Sequence, residues 1–471
     1  MNNKQQKIIL KGTALVYGLV IMTVVAIVLT SIIGFVASQV KYALRVHTRE
    51  QAFQIAESGI QFYKWYLAHN TDGRTAQQIQ DFWESGSPYG VGSPYEAEYS
   101  DPYGGAVGKY SIEITPPTQG STVVTARSTG WMYKYPGDIR TVEVRFRRPS
   151  WSEYAVLANS FNRFGSGTET FGKIHSNHGI RFDGVANNLI TSAVDEYDDP
   201  DHTGSNEFGV HTHVNPIDPL PPAAVPSRSD VFKGGRQFPV AVIDFNGVLG
   251  DLSYIKSVAQ AGTDGSLYFN NSRQGRHIIL RANDTFSIRT VRSFRASTKE
   301  IINYNGGWQT YNIPNEGVIF VENNVWLEGT VSGKRVTIVA ANLLSSAVKS
   351  VYISRDVRYT NYDCTDILGI IGQKDISITK NSEDDLWIDG ALLAQSGNVG
   401  RPNYGQSDHK SIITIYGAIA TNKRYGFAWT NGTSNWGYDT RNLYYDNNLL
   451  YCPPPYFPVG TQYEMDLWEE K

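Results

Sequence analysis

The longest apolar pattern lies at the N-terminus, where residues 12–40 carry no charged side chain. About 20 apolar residues are enough to cross a bilayer as a helix, because a helix satisfies its own backbone hydrogen bonds. Lys4, Lys7 and Lys11 precede this stretch without an acidic residue among them. This charge pattern predicts a single-pass membrane protein whose N-terminus is cytoplasmic and whose later domains lie outside.

The helical pattern continues beyond the apolar stretch. Apolar side chains recur at three- and four-residue steps as far as Leu67, and residues 13–70 contain no proline. This periodicity is typical of a helix with one apolar face. We therefore predict one helix over residues 13–70 that spans the membrane and continues as an amphipathic stalk. A removable secretory signal is not favoured, because its apolar region is only about 7–15 residues long.

A change of pattern follows the helix. Residues 71–93 are polar and rich in Gly and Pro, which predicts a connection. The runs GKYSIEITPP, STVVTARSTGWM and IRTVEVRFRR then alternate apolar and polar residues, as strands with one buried face do. A small antiparallel sheet packed on the second half of the helix is predicted, so residues 71–150 form an α+β head.

The region 151–471 repeats a seven-residue pattern, apolar-x-apolar-x-Gly-x-apolar. Its matches are Ile180–Ala186, Val325–Val331, Leu386–Leu392 and Ile413–Ile419, and a weaker one at Ile243–Leu249 runs into a helical pattern. Short strands joined at a glycine corner are typical of stacked coils. We predict a mainly β protein with one long N-terminal α-helix, in which 151–471 is a right-handed parallel β-helix. The alternative is a β-sandwich. Insertions are expected at about 195–235 and 249–313.

Composition adds limits on partners. The net charge of −3 gives no electrostatic basis for nucleic-acid binding. The two cysteines, Cys364 and Cys452, are candidates for a disulfide outside the cytoplasm, and two unpaired buried thiols are the alternative.

The N-terminal segments resemble a known family. KGTALVYGLVIMTVV and QAFQIAESGIQFYKWYL are similar to the N-termini of type IV pilin-like proteins, most closely the minor pilins of the PilX type. In that family a prepilin peptidase removes a short basic leader that ends in Gly. The resemblance implies a leader of residues 1–12, cleavage between Gly12 and Thr13, and a helix motif at Ala56-Glu57-Ser58-Gly59.

One position departs from the family pattern. Major pilins carry Glu at the fifth mature position, which is Tyr17 here. The resemblance therefore implies a rare subunit at the filament tip, which primes assembly or presents a binding surface. Its implied partners are other pilin subunits through the N-terminal helix, the inner membrane before assembly, and the prepilin peptidase. The expected final location is the cell surface or the pilus.

The second half of the chain also has a resemblance. IHSNHGIRFDG, DLWIDGALLAQSG and the closing YYDNNLLYCPPPYFP look like the β-helical extensions found behind PilX-type N-termini. That resemblance implies no activity. A surface glycan or protein is a candidate ligand, because aromatic residues are dense near the C-terminus; the alternative is that they cap the open end of the stacked coils.

Two kinds of chemistry remain as alternatives. Asp183, Glu328 and Asp389 all stand just before a corner glycine. If the coils stack these three carboxylates in one column, they would form the paired carboxylates that a membrane-anchored carbohydrate-active enzyme needs. Five histidines lie between 175 and 213 near acidic residues, but no recognised metal-ligand spacing is completed. We expect no enzymatic activity, no metal and no cofactor. A pilus-independent adhesin is the other alternative function.

Overall fold

One long helix forms the N-terminal part of the fold. The computed structural model describes residues 5–117, 121–245, 248–431, 433–460 and 462–471. Helix α1 runs without a break from Gln5 to Thr71, which includes the predicted helix over 13–70 and the last part of the predicted leader. Lys4 and the three residues before it lie outside the described residues.

A second helix lies where only a connection was predicted. Helix α2, Ala76–Glu84, begins with a capping box in which the Thr75 and Gln78 side chains each accept a backbone N–H of the other residue. Ile79, Phe82 and Trp83 are buried against α1. The polar residues of 71–93 hid this short amphipathic helix, because only three apolar positions mark its buried face.

The head contains the predicted antiparallel sheet. Its first strands are β1 (Tyr95–Ser100), β2 (Ala106–Thr115), β3 (Val124–Met132) and β4 (Tyr135–Arg147), each antiparallel to the next. Buried and exposed positions alternate along β3 and along the second half of β4, as the sequence pattern predicted. The buried face packs on the outer half of α1.

The remainder of the chain is built from short strands and one further helix. The strands that precede this helix are β5 (Tyr154–Ala158), β6 (Asn162–Phe164), β7 (Glu169–Thr170), β8 (Lys173–Ser176), β9 (Ile180–Phe182), β10 (Val185–Ala186), β11 (Ile190–Ser192), β12 (Glu196–Tyr197), β13 (Glu207–Phe208), β14 (Val210–His211) and β15 (Arg236–Gln237). Helix α3 is Val248–Ala261. Single 3₁₀ turns lie at Trp151–Glu153, Thr263–Gly265 and Asn447–Leu450.

More strands follow α3. They are β16 (Leu267–Phe269), β17 (Gly275–Arg281), β18 (Thr285–Arg295), β19 (Glu300–Asn312), β20 (Gly317–Val321), β21 (Asn324–Val331), β22 (Arg335–Ala340), β23 (Val351–Tyr359), β24 (Ile367–Gly372), β25 (Ile376–Ile378), β26 (Asp385–Ala394), β27 (Val399–Gly400), β28 (His409–Thr421), β29 (Ala428–Thr430), β30 (Asn435–Tyr445) and β31 (Glu464–Glu470). We call the part from β5 to β30 the coiled body. The mainly β fold with one long N-terminal helix is therefore confirmed.

Strands of the coiled body pair in parallel with strands two or more places along the chain. One column of successively paired residues in the longest ladder is aliphatic throughout: Leu267, Ile319, Ile338, Ile370, Leu392, Ile419, Val156, Ile174 and Ile190. Such parallel stacking is what successive coils of a solenoid require, whereas a β-sandwich is made of antiparallel sheets.

The order of this ladder does not follow the chain. The coiled body begins at β5, in the middle of the stack, and extends through β8 and β11 towards β15. After α3 it resumes with β16 at the opposite end and returns through β20 and the later strands until β28 pairs with β5. Helix α3 thus connects the two ends of the stack. Its Lys256 Nζ lies 2.7 Å from the buried Glu322 carboxylate.

Both regions that were predicted as insertions contribute strands to the stack, so they are not wholly separate from it. Val210–His211, within the predicted loop 195–235, pairs in parallel with Ile180 and Arg181 of β9. Within 249–313, β16 and β17 pair in parallel with β20 and β21, and only β18 and β19 form an added antiparallel hairpin. The shortest of these strands, β14 and β16, have two and three residues, which give too little periodicity to recognise.

The corner glycines occupy the positions that the repeated pattern predicted. Gly390 and Gly417 pair with each other in the ladder, with φ of +143° and +151°. A Cβ atom on Gly417 would overlap the carbonyl oxygen of Gly390. Only glycine permits both this backbone conformation and this close stacking. The weaker match at Ile243–Leu249 includes residues 246–247, which lie outside the described residues.

The last strand returns to the head. Strand β31 pairs antiparallel with β4, with Trp468 opposite Val144, and becomes the fifth strand of the head sheet. Residues 464–470 belong to the head, although they were predicted to be part of the β-helical region 151–471. The coiled body is therefore inserted between two neighbouring strands of the head sheet.

Candidate functional site: the N-terminal helix and its contacts

The first half of α1, taken as residues 13–47, makes no packing contact that buries a side chain. Every residue from Thr13 to His47 is exposed, including Tyr17 at 67%. Within the described chain, α1 is the one helix long and apolar enough to cross a membrane. An apolar surface of this length without a covering element is a candidate membrane anchor and a candidate surface for packing with other helices.

Three hydroxyl side chains in this half are satisfied within the helix. The hydroxyls of Thr23, Thr30 and Ser31 donate hydrogen bonds to backbone carbonyls four residues earlier, at 2.6, 2.7 and 2.9 Å. An unsatisfied hydroxyl would be costly in hydrocarbon. These three hydroxyl groups are therefore compatible with a lipid environment.

Burial begins at Thr48, which is 3% exposed and donates a hydrogen bond to Asp138 of β4 at 2.8 Å. Beyond it, one face of α1 is completely covered by the head sheet and α2. The residues of this face are Ala52, Ile55, Ala56, Ile60, Tyr63 and Leu67, each at most 1% exposed. Val40 and Leu44, which continue the same periodicity, are exposed.

The predicted Ala-Glu-Ser-Gly motif lies where the helix and the sheet come closest. A Cβ atom on Gly59 would overlap Ser128 Oγ and lie 3.0 Å from the Tyr110 ring. Facing the helix, a Cβ atom on Gly130 of β3 would overlap the backbone of Ala52 and Ala56. The small residues of the motif therefore permit the backbone of α1 to touch the sheet.

The two middle residues of the motif have other surroundings. Glu57 is partly exposed, and Ser58 donates a hydrogen bond to the carbonyl oxygen of Gln54 at 2.8 Å. They lie beside the contact surface rather than in it. At the other end of α1, Gly12 and Thr13 both lie inside the continuous helix.

The two cysteines are joined. Cys364 and Cys452 form a disulfide with their Cα atoms 5.9 Å apart, and the chain contains no other cysteine. The bond connects the loop after β23 to the segment after the 3₁₀ turn Asn447–Leu450. It fastens the C-terminal segment to the side of the coiled body before the chain returns to the head.

The acidic column considered from the sequence does not form. Asp183 lies on a separate ladder, where Arg181 Nε donates to it at 2.8 Å. Glu328 and Asp389 are separated by β23, because Gly329 pairs with Val357, which in turn pairs with Ile388.

Asp389 and Glu328 also differ in environment. Burial raises the pKa of Asp389, although the Tyr359 N–H and the Tyr362 hydroxyl donate to it at 2.7 and 2.9 Å. Burial also acts to raise the pKa of Glu328. His277 and Arg355 act in the opposite direction and more strongly, so the pKa of Glu328 lies below its usual value. These carboxylates are thus separate structural groups and do not make a pair.

Histidines of the segment 175–213 divide into two sets. His175 is buried and bonds Thr191 and Asn177, and His178 is exposed. The other three histidines contribute to two groups that could hold a metal ion and that share His213: Asp199 with His211 and His213, and Glu207 with His202 and His213. The sequence spacing did not reveal this set, because it is assembled by the β12–β13 hairpin and the following strand.

Most C-terminal aromatic residues are packed. Phe427, Trp436, Tyr438, Tyr445, Tyr456 and Phe457 are buried. Trp429, Tyr444, Tyr451 and Trp468 are exposed at 41–80%. A cleft of about 520 Å³ separates the head from the coiled body, with Trp83, Arg147, Tyr254, Arg335 and Pro453 among its lining residues. This cleft and the exposed aromatic rings are the candidate ligand-contacting surfaces.

Comparisons with known proteins give likenesses among solved structures. No family model matches the chain. No curated protein matches it either. The structure is similar to the crystal structure of the competence-associated pilin ComZ from Thermus thermophilus, with 13% identity, coverage of 90% of this chain and 98% of that chain, and a TM-score of 0.30. Because a TM-score this low is below what a shared fold gives, the likeness assigns neither a fold nor a function to this chain.

Proposed function

We propose that the chain is a minor pilin-like structural subunit of a type IV pilus or a related filament, without enzymatic activity. The observation that carries this proposal is the division of α1 into an exposed apolar half, Thr13–His47, and a half packed on the head. Such a helix can reside in the inner membrane and later exchange lipid for the apolar helices of neighbouring subunits, because close helix packing replaces lipid contacts.

The processing and orientation that we propose follow the PilX-type pattern. The N-terminus is cytoplasmic, the prepilin peptidase cuts between Gly12 and Thr13, and the mature chain begins at Thr13. This is supported by Lys7 and Lys11 before the apolar stretch and by the Ala56–Gly59 motif at the tightest helix–sheet contact.

We place the subunit at the tip of the filament. Tyr17 stands at the fifth mature position, so the carboxylate that would pair with a subunit ahead is missing. The coiled body, which we describe as a right-handed parallel β-helix, is inserted in the head sheet and enlarges the head far beyond its five strands. A bulky head fits an end position, where it primes assembly or presents a surface to a glycan or a protein.

Mass spectrometry of the chain purified from sheared filaments and from the inner membrane tests the proposal. The mature N-terminus is expected at Thr13, and Gly12→Val is expected to leave the leader attached. Gly18→Ala is the matched control, because Gly18 has no atom within 4 Å of an added Cβ. A chain that begins at Met1, or after Ser38, contradicts the proposal.

Gene deletion separates this function from the adhesin alternative. Loss of filaments is expected for an assembly-priming subunit, whereas a pilus-independent adhesin leaves filaments unchanged. For the enzyme alternative, glycan cleavage is assayed with Asp183→Asn, Glu328→Gln and Asp389→Asn combined. Cleavage by the wild-type chain that this variant loses would contradict the proposed structural role.

A further inference from the structure

Two groups of three potential metal ligands, which share His213, lie at one side of the coiled body, outside the helix and the head. They come from the hairpin β12–β13 and the chain around β14, and we call them the histidine cluster: Asp199, His202, Glu207, His211 and His213. Asp199 and Glu207 are each 2% exposed and His211 is completely buried, while His202 lies at the surface. The cluster is thus buried with one exposed edge.

The hydrogen bonding of His211 fixes which ring nitrogen faces the cluster. Its Nδ1–H donates to the carbonyl oxygen of Phe208 at 3.3 Å, because a carbonyl can only accept. In the neutral ring, Nε2 then carries a lone pair, and this atom lies 3.6 Å from Asp199 Oδ2. Metal-binding histidines commonly donate their other nitrogen to a backbone carbonyl in this way.

Asp199 presents one free oxygen to the same point. Its Oδ1 accepts the backbone N–H of Asp201 at 3.0 Å, whereas its Oδ2 has no hydrogen-bond partner in the described structure, nor has His211 Nε2. A carboxylate oxygen and a nitrogen lone pair that face each other repel unless a proton or a cation lies between them.

Glu207 has the same need for positive charge. Its Oε1 lies 3.3 Å from His213 Nε2 and 3.4 Å from His202 Nδ1, and its Oε2 has no partner. Among the described residues, no lysine or arginine lies within salt-bridge distance of Glu207.

The spacing of these atoms matches a first-row metal site. Bonds of about 2.0–2.1 Å in a tetrahedral zinc site place neighbouring ligand atoms about 3.3–3.4 Å apart. Within the group of Asp199, His211 and His213, His211 Nε2 and Asp199 Oδ2 are 3.6 Å apart, and the three ligand atoms all lie within 4.8 Å of one another. Imidazole nitrogens combined with carboxylate oxygens suit zinc and similar divalent ions better than calcium, which prefers oxygen ligands alone.

The main opposing charge is Arg181. Its Nη1 lies 3.7 Å from Asp199 Oδ2, but its Nε donates to Asp183 at 2.8 Å, which provides a closer partner. Asp201 is held by Arg424 at 2.7 Å, away from the cluster. The two buried carboxylates that face the imidazoles therefore keep an excess of negative charge that a dication can balance.

We propose that the histidine cluster binds one divalent transition-metal ion of the zinc class through Asp199, His211 and His213, whose ligand atoms all lie within 4.8 Å of one another. The ion would join the β12–β13 hairpin to β14, whose strand pairing with β9 attaches it to the stacked coils. Its role is a structural cross-link of this insertion, and it is independent of the pilin-like function.

Zinc binding to the full-length chain in detergent tests this site. The chelator-treated protein is titrated with Zn²⁺ alone, and bound metal is counted by elemental analysis, with Co²⁺ absorption as a report on coordination. We expect one ion per chain. The double variant His211→Ala, His213→Ala is expected to weaken binding at least about 100-fold, because first-sphere losses exceed the 10–100-fold typical of outer-sphere changes.

Two further variants keep the test decisive. His178→Ala removes an exposed histidine outside the cluster and should bind Zn²⁺ as the wild type does. Asp199→Asn keeps the side-chain shape, guards against a misfolded double variant, and should also weaken binding. A wild-type chain that binds no stoichiometric zinc overturns the proposal, since the cluster is then an imidazolium–carboxylate pair. Equal binding by the wild type and the double variant also overturns it.

Discussion

The two halves of α1 use similar apolar residues in opposite environments. Leu19 in the first half is 65% exposed, whereas Leu67 in the second half is fully buried. Unlike the first half, the second half carries small residues where it contacts the head sheet, and its charged residues lie on the face that the sheet does not cover. Apolar character alone therefore does not determine where a helix packs, because a partner surface must also be able to approach it.

The largest contrast is expected between Leu67→Ala and Leu19→Ala. Loss of the Leu67 side chain leaves a cavity between α1, α2 and the head sheet, which should lower the free energy of unfolding by about 2–5 kcal/mol. Leu19→Ala should change it by less than about 0.5 kcal/mol. Urea unfolding in detergent, followed by the fluorescence of tryptophans such as the buried Trp83, measures both. Equal effects would contradict the division of the helix.

Charge in the exposed half should act on membrane insertion. Val25→Lys places an ammonium in the apolar stretch and should make the apparent insertion free energy less favourable by about 3 kcal/mol. Gln54→Lys lies on the exposed face of the packed half and should have no such effect. An insertion assay in microsomes compares the two variants. Unchanged insertion of Val25→Lys would mean that the first half does not reside in lipid.

The close helix–sheet contact can be tested with a pair of glycines in adjacent strands. Gly130→Val would force β3 away from Ala52 and Ala56, and it should destabilise the head by about 1–3 kcal/mol. Gly137→Val, in β4, meets nothing within 4 Å and should be close to neutral. Thermal unfolding of the full-length chain measures the difference. If both variants behave alike, small residues are not required at this contact.

Local patterns predicted the regular elements well. The helix over 13–70 was recognised because an uncharged stretch and a continuing periodicity extend over many turns. The corner glycines were recognised because one pattern recurs in Leu386–Leu392 and Ile413–Ile419, which the structure stacks in register.

Elements without a local pattern were missed. Strand β31 reads EMDLWEE and is exposed at every position, so nothing in it alternates between buried and polar residues. It is defined by its hydrogen bonds to β4. The histidine cluster was missed for a related reason, since Asp199, Glu207 and His213 meet only after the hairpin has formed.

The sequence by itself determined the membrane-compatible helix, the amphipathic stalk and the aliphatic content of the strands, because each depends on residues close together in the chain. Only the tertiary structure decided that Val156 lies beside Ile419, that α3 joins the two ends of the stack, and that β31 closes the head. Parallel pairing between distant segments depends on how buried surfaces fit together in space, and local periodicity carries no information about that fit.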